Sequence, residues 1–158
     1  MLSKLIDNLK TKNEIEILRD EIALLSQSIY QGGEKNIENS LKNNIRIWVS
    51  ETIRNETQNV NLRDYFNDIE KELDRIKSVS ITLAYEPSEL SVRRFYDFVQ
   101  SIMPKKIVLE LLYDPQIVGG VVISYGGRYK DYSFRKIFED ELEETRKDVL
   151  ELLGKAKK

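Results

Sequence analysis

Residues 114–133 read DPQIVGGVVISYGGRYKDYS. The segment opens on an Asp-Pro break and closes on a polar exit, with two glycine pairs between them. Val121, Val122 and Ile123 are strong strand formers. Gly126-Gly127 lies between two strand-like runs, Val118–Tyr125 and Arg128–Tyr132. A primed two-residue turn needs positive φ, which glycine supplies, so a β-hairpin is expected there. Gly119-Gly120 stands where the apolar run begins. With no side chain at either position, a neighbouring backbone or helix can approach closely.

Upstream of this segment the pattern is strand, helix, strand. Residues 79–85 (VSITLAY) alternate with a period of two, as a half-buried strand does. Ser88 is the expected N-cap of a helix that ends near Ile102, with Phe95, Phe98, Val99 and Ile102 inward. Pro104 stops it, and residues 106–113 (KIVLELLY) form the next strand. Short links make this a βαβ unit, expected to be parallel and right-handed. Downstream, Ser133 is the expected N-cap of a terminal helix. Phe134, Ile137, Phe138 and Leu142 share one face, continued by Val149, Leu152 and Leu153. Glu139, Asp140, Glu141, Glu143 and Glu144 give it an acidic outer surface, and Glu143 precedes Lys147 in the favourable order. Gly154 is expected to end the helix before a basic tail, Lys155 to Lys158.

Before Ser78 the apolar spacing is helical. Leu2, Leu5, Ile6 and Leu9 predict a short first helix. Asn13 with Glu16 predicts a capping box for the second, whose stripe is Ile15, Leu18, Ile22, Leu25 and Ile29, and which Gly32-Gly33 should end. A further helix is expected from Lys35 to Glu56, with Ile37, Leu41, Ile45, Trp48, Val49 and Ile53 on its face, broken by Thr57-Gln58-Asn59. Asn61 should cap another that carries Leu62, Phe66, Ile69, Leu73 and Ile76. Each stripe covers one side, so each helix needs a partner. The expected fold class is α+β. An antiparallel helical bundle domain, residues 1–77, precedes a small α/β domain, residues 78–158, with a βαβ unit, a β-hairpin and a long C-terminal helix.

Composition narrows the chemistry. The chain has 158 residues, with 25 basic and 27 acidic side chains and a net charge of −2. Such a balance gives no bulk attraction to nucleic acid or an anionic membrane. No histidine and no cysteine occur. That removes disulfides, thiolate nucleophiles, a Ser-His-Asp arrangement and the commonest zinc ligands. No apolar run approaches the roughly 20 residues that span a bilayer, and no signal peptide is evident, so a soluble intracellular protein is expected. Neither glycine pair is followed by Lys-Ser or Lys-Thr, so there is no P-loop, and Gly119-Gly120 leads into a strand rather than a phosphate-binding helix. Asp114 and Asp131 are the acids inside the marked segment; as turn residues they bond local backbone N–H groups. Trp48 reads as core or interface, since no basic stripe surrounds it. No catalytic constellation and no cofactor are expected.

Asp114, Pro115, Ile117, Val118, Gly119, Gly120, Asp131 and Ser133 together resemble the C-terminal signature of the delta subunit of F-type ATP synthases, whose mitochondrial counterpart is the oligomycin-sensitivity-conferring protein. The resemblance covers about residues 45–145. It implies a non-catalytic stator subunit. Such a subunit joins the catalytic alpha/beta hexamer to the b subunits and resists rotor torque at the cytoplasmic face of a bacterial plasma membrane, without entering the bilayer. It also implies two partners, the N-termini of the alpha subunits and the C-terminal helices of the b subunits. Phe134, Ile137, Phe138, Leu142 and Trp48 are the partner-binding candidates. The family's N-terminal domain is a six-helix bundle, whereas residues 1–77 have room for three or four helices.

Three other readings remain at this point. The peripheral-stalk E subunit of V/A-type ATPases has a similar layout but one uninterrupted N-terminal helix, against which the Gly32-Gly33 and 57–59 breaks argue. A small enzyme would use Asp114 and Asp131 as acid and base, with raised pKa values. A helical adaptor would have no link to a motor.

Overall fold

The computed structural model describes residues 3–58 and 60–155, with the side chains of 31–35 and 152–155 left aside. The fold class is α+β. Packing divides the chain into two units, Met1–Ser78 with Tyr96–Val108, and Val79–Phe95 with Leu109–Lys158.

In the first unit, α1 (Lys4–Asp7), α2 (Lys12–Asn43), α3 (Ile47–Glu56) and α4 (Leu62–Arg75) precede any strand. Their inward faces merge into one core. Leu5, Ile6, Leu9, Leu18, Ile22, Leu25, Val49, Ile53, Phe66, Ile69 and Leu73 are all buried in it. Each fully buried Leu or Ile contributes roughly 1.5–3 kcal/mol relative to exposure. The α4 stripe and its cap are as expected: the Asn61 side chain accepts the Arg63 backbone N–H at 2.9 Å. Leu2 and Asn59 lie outside the described residues.

The helix boundaries before Asn61 differ from the sequence expectation. Gly32-Gly33 does not end a helix, because α2 continues through the pair to Asn43. Ile29, Ile37 and Leu41 stand at multiples of four, so one face packs on the core on both sides of the pair. Two interior glycines cost about 1 kcal/mol each relative to alanine. Burial of Ile37 and Leu41 beyond them outweighs that. The cap of α2 also lies two residues earlier than Asn13. Thr11 Oγ1 accepts from the Glu14 N–H, and the Glu14 carboxylate accepts from the Thr11 N–H at 3.0 Å. The helix expected over 35–56 is instead divided at Asn44–Arg46. Ser50 closes that corner by donating its hydroxyl to the Leu41 carbonyl at 2.6 Å.

The strands are β1 (Lys77–Leu83), β2 (Ile107–Tyr113), β3 (Gly120–Tyr125) and β4 (Arg128–Ser133). They form one mixed sheet in the order β2-β1-β3-β4. β1 and β3 pair antiparallel, with Ile81 opposite Ile123, and β3 and β4 pair antiparallel, with Val121 opposite Tyr132. In a mixed sheet that leaves β1 and β2 as the parallel neighbours, joined by α5 (Glu89–Ile102). Val79, Ile81 and Leu83 are buried at alternate positions of β1.

The face of α5 differs from expectation. Its buried residue is Tyr96, flanked by half-buried Val92, Val99 and Met103. Phe95, Phe98 and Ile102, expected inward, are exposed, and Val99 is only half-buried. Two apolar stripes share this helix, and the 92-96-99-103 stripe is the one turned in. The last helix, α6, runs Phe134–Lys155 and passes through Gly154 rather than ending there. The side chains of Leu152 and Leu153 and the residues after Lys155 lie outside the described set.

Candidate functional site

The candidate site is the root of α6 and the apolar face that follows it. Asp114 caps a short 3-10 turn, Pro115–Ile117, its carboxylate accepting the Gln116 N–H at 2.9 Å. Pro115 fits the first position of that turn, where a backbone N–H is not needed. Val118 then takes φ 66°, ψ −36°, and the Gly119 N–H donates to the Ile117 carbonyl at 2.8 Å. That is a γ-turn of the strained hand, occupied by a β-branched residue that rarely adopts positive φ. Its side chain is exposed.

The two glycines that follow allow close approach, as the sequence suggested. A Cβ on Gly119 would lie 2.7 Å from the Phe134 ring. Gly120 has φ +78°, and a Cβ there would lie 2.3 Å from the Tyr132 carbonyl oxygen. The Phe134 N–H donates to the Gly119 carbonyl at 3.0 Å. The hairpin turn holds Gly126 at φ +56° and Gly127 at φ +77°, both positive as a type I′ turn needs.

Asp131 and Ser133 finish the joint. Asp131 accepts the Ser133 N–H at 2.8 Å, and the Tyr129 hydroxyl lies 3.3 Å from its other oxygen. Hydrogen bonds from Ser133 hold the Asp131 carboxyl below its usual range. A general acid at neutral pH needs the opposite shift. Ser133 is fully buried, and its hydroxyl accepts the Lys136 N–H at 3.2 Å, the expected N-cap. Asp114 and Asp131 thus each bind their own turn.

Phe134, Ile137, Phe138 and Leu142 are 50–69% exposed. Trp48 is in the other unit, half-buried against the helical core with the Arg46 guanidinium 5.0 Å from its ring centre. Among the described residues no group of three metal-ligating side chains comes together, including the acidic run on α6. No described helix is long and apolar enough to cross a membrane.

The family model of the ATP synthase delta (OSCP) subunit matches residues 26–144, well over half of the chain. The chain belongs to the ATP synthase delta (OSCP) family. That makes it a stator subunit of F-type ATP synthase, part of the peripheral stalk. The match begins inside α2 and ends inside α6. No curated protein matches the chain. Among solved structures, one chain of the cryo-EM structure of the Polytomella F-ATP synthase in primary rotary state 3 is 22% identical. It covers 49% of this chain and 99% of its own length, with a TM-score of 0.40. The family match decides between the delta family and the E subunit of V/A-type ATPases. The glycine pair cannot, because α2 stays helical through it.

Sequence reasoning counted Val118 in the signature and as the start of a strand, and missed its strained φ of 66° ahead of a strand that begins at Gly120. Its signal was position: a β-branched residue trapped between a 3-10 turn begun by Pro115 and a glycine that must approach Phe134.

Proposed function

We propose that this chain ties the alpha/beta hexamer of an F-type ATP synthase to its b subunits and resists rotor torque, without catalysing a reaction. Residues 1–77 and 78–158 act as its two grips. The helical part faces the N-termini of the alpha subunits, with Trp48 among its contacts. The α/β part takes the C-terminal helices of the b subunits along Phe134, Ile137, Phe138 and Leu142. It works peripherally at the cytoplasmic face of a bacterial plasma membrane.

The observation that carries this is the contrast along α6. Its first residue is fixed by Gly119, Asp131 and Ser133, while the apolar face beginning at that residue is half or more exposed. A contact that transmits force needs an anchored element with a few dominant apolar residues. The test is calorimetric titration of the full chain with two synthetic peptides, the alpha N-terminus and the b C-terminus. Both are expected to bind, and Phe138→Glu is expected to abolish binding of the b peptide only. Binding of neither peptide sinks the proposal.

A further inference from the structure

α2 keeps helical backbone from Lys12 to Asn43, but its axis does not keep one direction. The hydroxyls of Ser28 and Ser40 lie 2.8 Å apart. Twelve positions of straight helix would separate those residues by about 18 Å. The Arg46 backbone N–H reaches the Glu21 carboxylate at 2.9 Å. A straight helix would put about 33 Å between Glu21 and Asn43, and the three residues from there to Arg46 span at most about 11 Å. Only a chain that turns back between Ser28 and Ser40 satisfies both contacts.

Both pairs are centred on residues 33–34, where Gly32-Gly33 stands. The same reflection matches Ile29 with Ile37, Leu25 with Leu41 and Ile22 with Ile45, and all six belong to one apolar core. The two arms of α2 are therefore complementary to each other, in apolar residues and in polar pairs. Glycine pairs are among the few places where a helix axis bends sharply. They are also poor helix formers, which removes the incentive to straighten.

An arm that fits its own partner arm fits the same arm of a second copy equally well. Exchange of identical elements is a low-cost route to a two-fold dimer. In the exchanged form α2 would be straight. α1 and the first arm of one copy would settle on α3 and α4 of the other. The Glu21–Arg46, Ser28–Ser40, Ser3–Glu56 and Arg19–Asp74 contacts would all re-form between copies. We infer that Gly32-Gly33 is a conformational selector: it holds α2 folded back and the chain monomeric, and a straight α2 gives an arm-exchanged dimer with a second copy of this chain. The selector is independent of which partners the chain takes.

The test uses the full chain, which has no cysteine of its own. Hydroxyls 2.8 Å apart mark S28C/S40C as a pair within bridging reach. With the native glycines, oxidised S28C/S40C is expected to bridge within one chain at micromolar concentration and to sediment as a monomer. G32A/G33A restores helix propensity in both copies and is expected to tighten dimerisation by roughly a hundredfold or more. Adding S28C/S40C to that variant is expected to link two chains, seen as a dimer on a denaturing gel without reductant. A folded G32A/G33A that stays monomeric overturns the inference. So does a dimer whose bridges remain within single chains, because another surface then holds it. A second experiment keeps the native glycines and refolds reduced S28C/S40C from urea before oxidation. Near the effective concentration of a short linker, about 1 mM, a minority of interchain bridges is expected, and at about 1 μM none. No interchain bridge at the higher concentration overturns the inference, and this experiment decides alone if G32A/G33A does not fold.

Discussion

Arg46, the residue that starts α3, holds Glu21 of α2 with three donors. Its backbone N–H lies 2.9 Å from Oε1, its Nε 3.0 Å from the same oxygen, and its Nη2 2.8 Å from Oε2. Glu21 is only 5% exposed, whereas Arg46 still reaches water and covers Trp48. Removing the arginine therefore leaves a buried carboxylate without its cation, the costlier half of a broken pair. Arg46→Ala is expected to cost about 3 kcal/mol in urea unfolding, and Glu21→Gln about 1–2 kcal/mol. The reverse order would contradict this account of the corner.

Glu56 makes the helical unit sensitive to acid. Partial burial pushes its carboxyl up, but hydrogen bonds from the Ser3 and Tyr65 hydroxyls and the Lys4 N–H outweigh burial and hold it below its ordinary 4.5. Burial, with Glu56 adding to it, raises the Tyr65 hydroxyl, which stays a donor. A depressed folded value stabilises above the unfolded value and loses that contribution as pH falls through the folded one. The melting temperature is therefore expected to drop below about pH 4.5, and Glu56→Gln should flatten that part of the profile. An unchanged slope in the variant would remove Glu56 as the cause.

The glycines at the α6 root differ in what they tolerate. Gly120→Ala meets a carbonyl oxygen and a positive φ together, and is expected to cost about 2–4 kcal/mol. Gly119→Ala meets the edge of a ring that can tilt, and about 1 kcal/mol is expected. Moving the Phe134 ring should also weaken b-peptide binding in Gly119→Ala, which calorimetry can read separately from stability.

Val118→Gly is expected to be neutral or stabilising, by up to about 2 kcal/mol. Relief of a strained φ returns about 1–3 kcal/mol, and glycine's extra unfolded freedom takes back about 0.5–1. A chemical denaturation midpoint that falls clearly in this variant would show that the isopropyl group makes contacts the exposed position does not suggest.

The hairpin, the Asp-x-Ser cap and the α4 stripe were legible because each is a local rule. Gly126-Gly127 needs only its own φ, Ser133 only the N–H three residues on, and Asn61 only the N–H of Arg63. The family signature was legible for the same reason: Asp114, Gly119, Gly120 and Asp131 each serve a neighbouring turn or contact. What could not be read depends on partners far along the chain. Gly32-Gly33 stays helical because Ile37 and Leu41 find a core built from other helices. The inward face of α5 is chosen by its packing, and both of its stripes, one through Tyr96 and one through Phe98, satisfy helical spacing. The end of α2 near Asn43 depends on Glu21, 25 residues before its ion-pair partner.

The four-residue α1 is fastened by groups that come much later in the chain. Glu56 accepts from Ser3 and Lys4, while Lys106 donates to the Asp7 carbonyl at 2.8 Å and to the Tyr96 hydroxyl at 2.7 Å. One helical turn does not persist in water without such support. Asp7 and Lys106 are 99 residues apart. At about 5–20 residues per second, the ribosome makes the second roughly 5–20 s after the first. α1 is thus synthesised well before Lys106, one of the groups that fasten it, so a chaperone or a competing chain has those seconds in which to reach Leu5, Ile6 and Leu9.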